Sequence, residues 1–219
     1  YRSVHNVKYQ SQKRFRTMNA GRKRSFNKEE ALDKATRVFW ENGYAGTSIT
    51  HLTSALGINK PSLYAAFGNK EQLFASAMDH YMQEYAAKNM DRLINPPEAS
   101  LRERLGAYLA GIIDVVCDCD SPKGCMFVKS SCESESVASP CEVQSALDDM
   151  GQANEVALST MLEAEKARGQ LAKDANVQEI TSYLLSLTYG LTILAGRGKT
   201  KAELGAVASM AINAFPGIH

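Results

Sequence analysis

No stretch of this 219-residue chain stays apolar for long enough to cross a membrane. The longest, Tyr183 to Gly196, contains Ser186, Thr188 and Thr192 and falls short of the roughly 18 apolar residues a span needs. The N-terminus lacks the apolar core of a secretion signal, so a cytoplasmic, reducing location is the expectation. Cysteines are few and odd in number, five, which does not fit a disulfide framework. None are spaced Cys-x-x-Cys, so no zinc site is expected; no metal and no cofactor is assigned. No segment shows the strict alternation of a half-buried strand. Catalytic signatures are missing as well: there is no Gly-rich phosphate loop after a strand, no nucleophile elbow and no His-Glu-x-x-His. The four histidines, His5, His51, His80 and His219, are scattered. The chain is therefore not read as an enzyme.

What is present is an ordinary globular composition, 44% hydrophobic and 22% charged, with an uneven distribution of charge. Residues 1–70 hold thirteen Lys and Arg against four Asp and Glu, a net of +9, and the other 149 residues carry −8. A basic head on an acidic body calls for a polyanionic partner of the head alone. Residues 1–24 form a polar, basic leader or arm. Residues 25–70 and 71–219 are read as head and body domains.

From Asn27 onward every strong signal is helical. Asn27 starts a helix that buries Ala31, Ala35, Val38 and Phe39 and stops at Gly43. Thr47 or Ser48 caps a short second helix with Leu52 and Leu56 inward, ended by Gly57. A third short helix begins at Lys60-Pro61, where the missing donor of proline costs nothing, and closes at Gly68. Two short helices about a three-residue Gly-containing turn make a helix-turn-helix. Asn69 with Gln72 caps a fourth helix carrying Leu73, Phe74, Ala77, Met78 and Tyr81. After Pro96-Pro97, capped helices follow from Ser100 and Thr200, with further helices over 142–169 and 177–195. Residues 117–140 are the least regular.

A recognition helix presents polar residues at its N-terminal end and is anchored by apolar ones behind. Lys60 and Ser62 supply the first, Leu63 and Phe67 the second. Lys70 stands at a helix N-terminus, where a cation and free amides both meet a phosphate. Arg22, Lys23 and Arg24 form an arm able to reach a minor groove. The stretch Gly43-Tyr44-Ala45-Gly46-Thr47-Ser48-Ile49, followed by Leu56 to Phe74 with its Leu-Tyr-x-x-Phe-x-x-Lys-Glu core, resembles the DNA-binding domain of the tetracycline-repressor (TetR) family of bacterial transcription regulators. Pro61 stands where many members have Gly.

The resemblance implies an all-α homodimer of about nine helices, with a three-helix DNA-binding head and a larger helical body for ligand binding and dimerisation. It implies that Thr47, Tyr64 and Lys70 contact phosphates, with Ser48 beside them, and that the face from Lys60 through Pro61 and Ser62 to Ala65 reads bases of double-stranded operator DNA. It also implies a ligand pocket in the body and a dimer interface on the last two helices. Tyr81, Tyr85, Tyr108, Cys125, Phe127 and Tyr183 are the candidate pocket residues, since aromatic rings with hydroxyls suit a largely apolar site for an organic inducer. Tyr183, Leu187, Leu191, Leu204, Val207, Ala208, Ala211 and Ile212 are the candidate dimer contacts. The expected activity is a repressor on a near-palindromic operator, released by a small molecule. Thiol-based redox or electrophile sensing by the segment from Cys117 through Cys119, Cys125 and Cys132 to Cys141 is the alternative, and a cysteine-dependent enzyme a more distant one.

Overall fold

The computed structural model describes residues 26–95, 98–136 and 139–215, and among these residues all regular structure is helical. The head comprises α1 (Lys28–Asn42), α2 (Ile49–Leu56) and α3 (Lys60–Phe67). α4 (Lys70–Tyr81) runs through a π-helical turn (Met82–Ala86) into α5 (Ala87–Ile94), forming one rod from head to body. The body adds α6 (Leu101–Val116), α7 (Met126–Ser136), α8 (Cys141–Ala167), α9 (Val177–Gly196) and α10 (Lys201–Asn213). With the rod counted once, these are nine helices among the described residues, as the sequence implies. Arg22, Lys23 and Arg24, with the rest of the 1–24 arm, lie outside the described residues.

The helix ends follow the local chemistry. Asn27, Ser48 and Asn59 side chains accept from first-turn amides, and complete capping boxes join Asn69 to Gln72, Ser100 to Glu103 and Thr200 to Glu203. Gly57, at φ 66°, takes the left-handed conformation that closes α2.

Packing differs from the sequence expectation in three places. One apolar cluster joins Phe39, Trp40, Leu52 and Leu63 of the head to Phe74, Met78 and Tyr81 of α4, and continues into Met126, Phe127, Val143 and Leu147. The expected boundary between residues 70 and 71 thus falls inside a continuous core. Second, the irregular 117–140 region contains an 11-residue helix, α7; its Ser- and Cys-rich sequence has weak intrinsic preference, and it folds against α1, α4, α8 and α9. Third, Leu191, Leu204, Ala208, Ala211 and Ile212 are not available to a partner, because each is buried at 9% exposure or less within the protomer's own body. Two helices closing over one core must turn their most apolar stripes inward. The large outward apolar side chains of α9 and α10 are Tyr183, Ile193, Val207 and Met210, the last 74% exposed, with Leu187 half-buried.

A buried ion pair holds the body together. Arg104 and Glu165 are both about 2% exposed and meet through two hydrogen bonds of 2.5 and 3.2 Å. Arg104 also donates to the carbonyls of Leu93 and Ala99, both at 3.1 Å, which ties the end of the rod to α6 and α8. These extra bonds offset the desolvation of the guanidinium.

Candidate nucleic-acid interface and ligand cavity

Leu63 and Phe67 anchor α3 in the head core, and this fixes what α3 shows to solvent. Lys60, Pro61, Tyr64 and Ala65 are exposed and Ser62 is half-buried. The Ser62 amide donates to Asn59 Oδ1 at 2.9 Å, so the helix begins at a defined residue. The Lys60 ammonium lies 5.6 Å from the centroid of the Tyr64 ring, within cation–π range. Ser48 is exposed at the start of α2, its Oγ accepting from the His51 amide at 3.1 Å.

Thr47 departs from its expected role. It is 1% exposed, and its hydroxyl donates to the Gly43 carbonyl at 2.6 Å. The β-branched side chain fills the α1–α2 turn, so its donor is spent inside the fold rather than offered to a phosphate.

Lys70 sits on a platform that sequence reasoning missed. Its ammonium lies 4.0 Å from the centroid of the Tyr44 ring, and partial burial holds its pKa below the ordinary lysine value. The Tyr44 hydroxyl donates to Glu71 Oε1 at 2.6 Å. Burial, reinforced by that carboxylate, pushes the Tyr44 phenol well up, and the same bond pulls Glu71 down. Tyr44 lies in the motif quoted above, but nothing in sequence spacing places its ring beneath Lys70, 26 residues on.

A cavity of about 590 Å³ opens between the rod, α6, α7, α8 and α9. Tyr81, Tyr85, Tyr108, Cys125 and Phe127 border it, together with Met82, Met90, Ile112, Val115, Met150, Asn154, Thr188 and Tyr189. Among the described residues no Lys, Arg or His lines it, and Asp79 is the one acidic residue that does; burial raises the Asp79 carboxyl. Burial likewise raises the Tyr81, Tyr108 and Tyr189 phenols, so these hydroxyls stay neutral donors and acceptors. The Tyr81 hydroxyl and the amides of Phe127 and Val128 near the Cys125 thiol would favour its thiolate, yet burial outweighs them and pushes its pKa up. Cys117 is raised too, chiefly by burial.

Tyr183 is not brought to this cavity. Its ring packs edge-on against Phe215 at 5.6 Å, on the other flank of α9. Tyr189 takes the cavity position instead: six residues turn a helix by about 600°, which puts the two tyrosines on different faces. The spacing of Thr188 and Thr192 with Tyr189 was the available signal.

A helix-turn-helix head with an anchored, outward recognition helix, preceded in sequence by a basic arm and joined by a rod to a helical body with an apolar cavity, defines a DNA-binding regulator with an effector domain. The family model described as bacterial regulatory proteins, tetR family, matches residues 31–77, and the tetracyclin repressor-like C-terminal domain matches residues 102–208. The HTH-type transcriptional repressor ComR of Escherichia coli (strain K12) is 32% identical over 90% of this chain and 92% of its own length. An uncharacterized regulator of Bacillus subtilis (strain 168), YezE, is 30% identical over 80% of this chain and 89% of its own. Among solved structures, a cysteine mutant of the TetR family transcriptional regulator CifR, complexed with 26bp double-strand operator DNA, superposes with a TM-score of 0.80 at 32% identity, covering 90% of this chain and all of that one. The chain belongs to the TetR family of bacterial regulatory proteins.

Among the described residues no helix is long and apolar enough to cross a membrane.

Proposed function

We propose that the protein is a cytoplasmic repressor that binds a near-palindromic operator as a homodimer and is released by a neutral or cationic organic molecule held in the body cavity. Lys60, Pro61, Ser62 and Ala65 read bases; Ser48, Tyr64 and Lys70 contact phosphates, and Arg22, Lys23 and Arg24 supply the arm. Residues 25–70 act as the DNA-binding unit and 71–219 as the effector and dimerisation unit, the two sharing one apolar core across their junction. The carrying observation is the cavity itself. It is wide enough for a small organic ligand, walled among the described residues by tyrosines and methionines without a cation, and bounded by the rod that continues into the head. Its one carboxyl side chain and its aromatic faces disfavour anions and suit organic cations or uncharged rings. Burial raises the Cys117 and Cys125 thiols, which weighs against thiolate sensing at those two positions, whereas Cys119, Cys132 and Cys141 are exposed.

The test begins with DNA selected by the protein from random duplexes, followed by a screen of neutral, cationic and anionic aromatic compounds for release. Release by neutral or cationic compounds, restored on dilution, kept in Cys125→Ser and lost in Ala153→Trp, which fills the cavity from its α8 wall, is the expected result. Release only by oxidants or electrophiles, reversed by reductant and not by dilution, overturns the reading.

A further inference from the structure

The C-terminal end of α1 is gripped by one short stretch of the body. The Trp40 indole donates to the Gly124 carbonyl at 3.0 Å, and Arg37 donates to the Asp120 carbonyl at 2.7 Å. Lys129 of α7 donates to the carbonyls of Trp40 (2.6 Å) and Glu41 (3.1 Å), covering helix-end acceptors that have no partner within α1. One turn further along α7, the Glu133 carboxylate accepts the amides of Tyr44 (2.8 Å) and Ala45 (3.1 Å). Residues 129 and 133 are four apart and share a helix face. Gly43 is what admits the carboxylate: its φ is +71°, and a Cβ there would come within 2.6 Å of Glu133 Oε2. The same stretch walls the cavity through Cys125, Phe127 and Val128. One segment, 124–133, therefore touches both the ligand site and the α1–α2 turn that carries the DNA-reading helices.

We propose that Glu133 and Lys129 are positioning residues that fix the orientation of the head on the body, so that movement of the cavity wall reaches the DNA through them. This rests on the operator-binding reading above. A dimer binds both half-sites only when its two recognition helices are held at the spacing of the groove. The second head then binds at a high effective concentration. A head released from its clamp still fits one half-site, but the pair loses its fixed spacing.

The test compares wild type, Glu133→Ala, Glu133→Gln and Lys129→Met on the selected full-length duplex and on a duplex carrying one half-site, with amide exchange at Tyr44 and Ala45 measured in parallel. Glu133→Ala is expected to lose about tenfold or more on the full site and less than about threefold on the half-site. Its Tyr44 and Ala45 amides exchange faster, Glu133→Gln falls between it and wild type, and Lys129→Met changes in the same direction. Equal losses on the two duplexes would mean damage to the head, and they overturn the proposal, as does an unchanged full-site affinity. A wild type that selects no duplex overturns the operator reading instead; unchanged exchange at Tyr44 and Ala45 in Glu133→Ala then overturns the clamp by itself.

Discussion

Thr47 and Lys70 come from the same recognisable motif and are expected to behave differently when changed. The Thr47 hydroxyl is consumed by Gly43 within the fold, so Thr47→Val should lower stability by about 1 kcal/mol, the worth of one neutral hydrogen bond, while the folded protein keeps its DNA affinity. Lys70→Ala should weaken binding to all sequences about equally and reduce the slope of log K against log salt by about one unit. Changes at Lys60 or Ser62 should alter base preference as well. Anisotropy titrations at several salt concentrations, paired with thermal melts, read both effects. A Thr47→Val protein with normal stability and a lost phosphate contact would return that residue to the interface.

At the scale of the element, α10 carries a pH-dependent start. Glu203 accepts from Lys199 at 2.6 Å and from the Thr200 amide and hydroxyl, both at 2.9 Å. The lysine first and then Thr200 hold its carboxyl at about 2, below the ordinary 4.5. A carboxyl depressed in the folded state stabilises it above the unfolded pKa, and that contribution disappears as pH falls through the folded one. The α10 amides should therefore keep their protection above about pH 4.5 and lose part of it progressively toward pH 2. Glu203→Gln should lack this component of the pH dependence. Amide exchange along 201–213 at a series of pH values checks it. α7 shows the opposite relation between element and sequence: its helix owes little to propensity and much to what it docks against, including the two residues that grip α1.

For the whole molecule, the decisive question is which faces of α9 and α10 remain once the body has packed. Val207 and Met210 are outward, whereas Leu191 is 1% exposed. Val207→Glu or Met210→Glu should give monomers that keep their helical content and lose full-site DNA affinity, because a charge desolvated at the interface has no partner. Leu191→Glu should instead unfold the body, by placing that charge in the core. Sedimentation together with circular dichroism separates the two outcomes. A dimer that withstands both surface changes would move the interface to another face.

The sequence by itself determined the helical class, the caps at Asn69, Ser100 and Thr200, the Gly57 turn and the polar face of α3, because capping, turn chemistry and the period of 3.6 act within a few residues of one another. It also placed a tyrosine-rich, cation-poor surface on elements destined to converge. Only the tertiary structure decided that Thr47 points inward, that Tyr189 and not Tyr183 borders the cavity, and that Leu191 and Ile212 serve the protomer's own core. It alone brought Glu133 to the amides of Tyr44 and Ala45, nearly ninety residues away. A helical pattern states how wide the apolar stripe is but not which neighbour takes each edge of it. That assignment depends on how the helices cross, which is settled only when all of them pack at once.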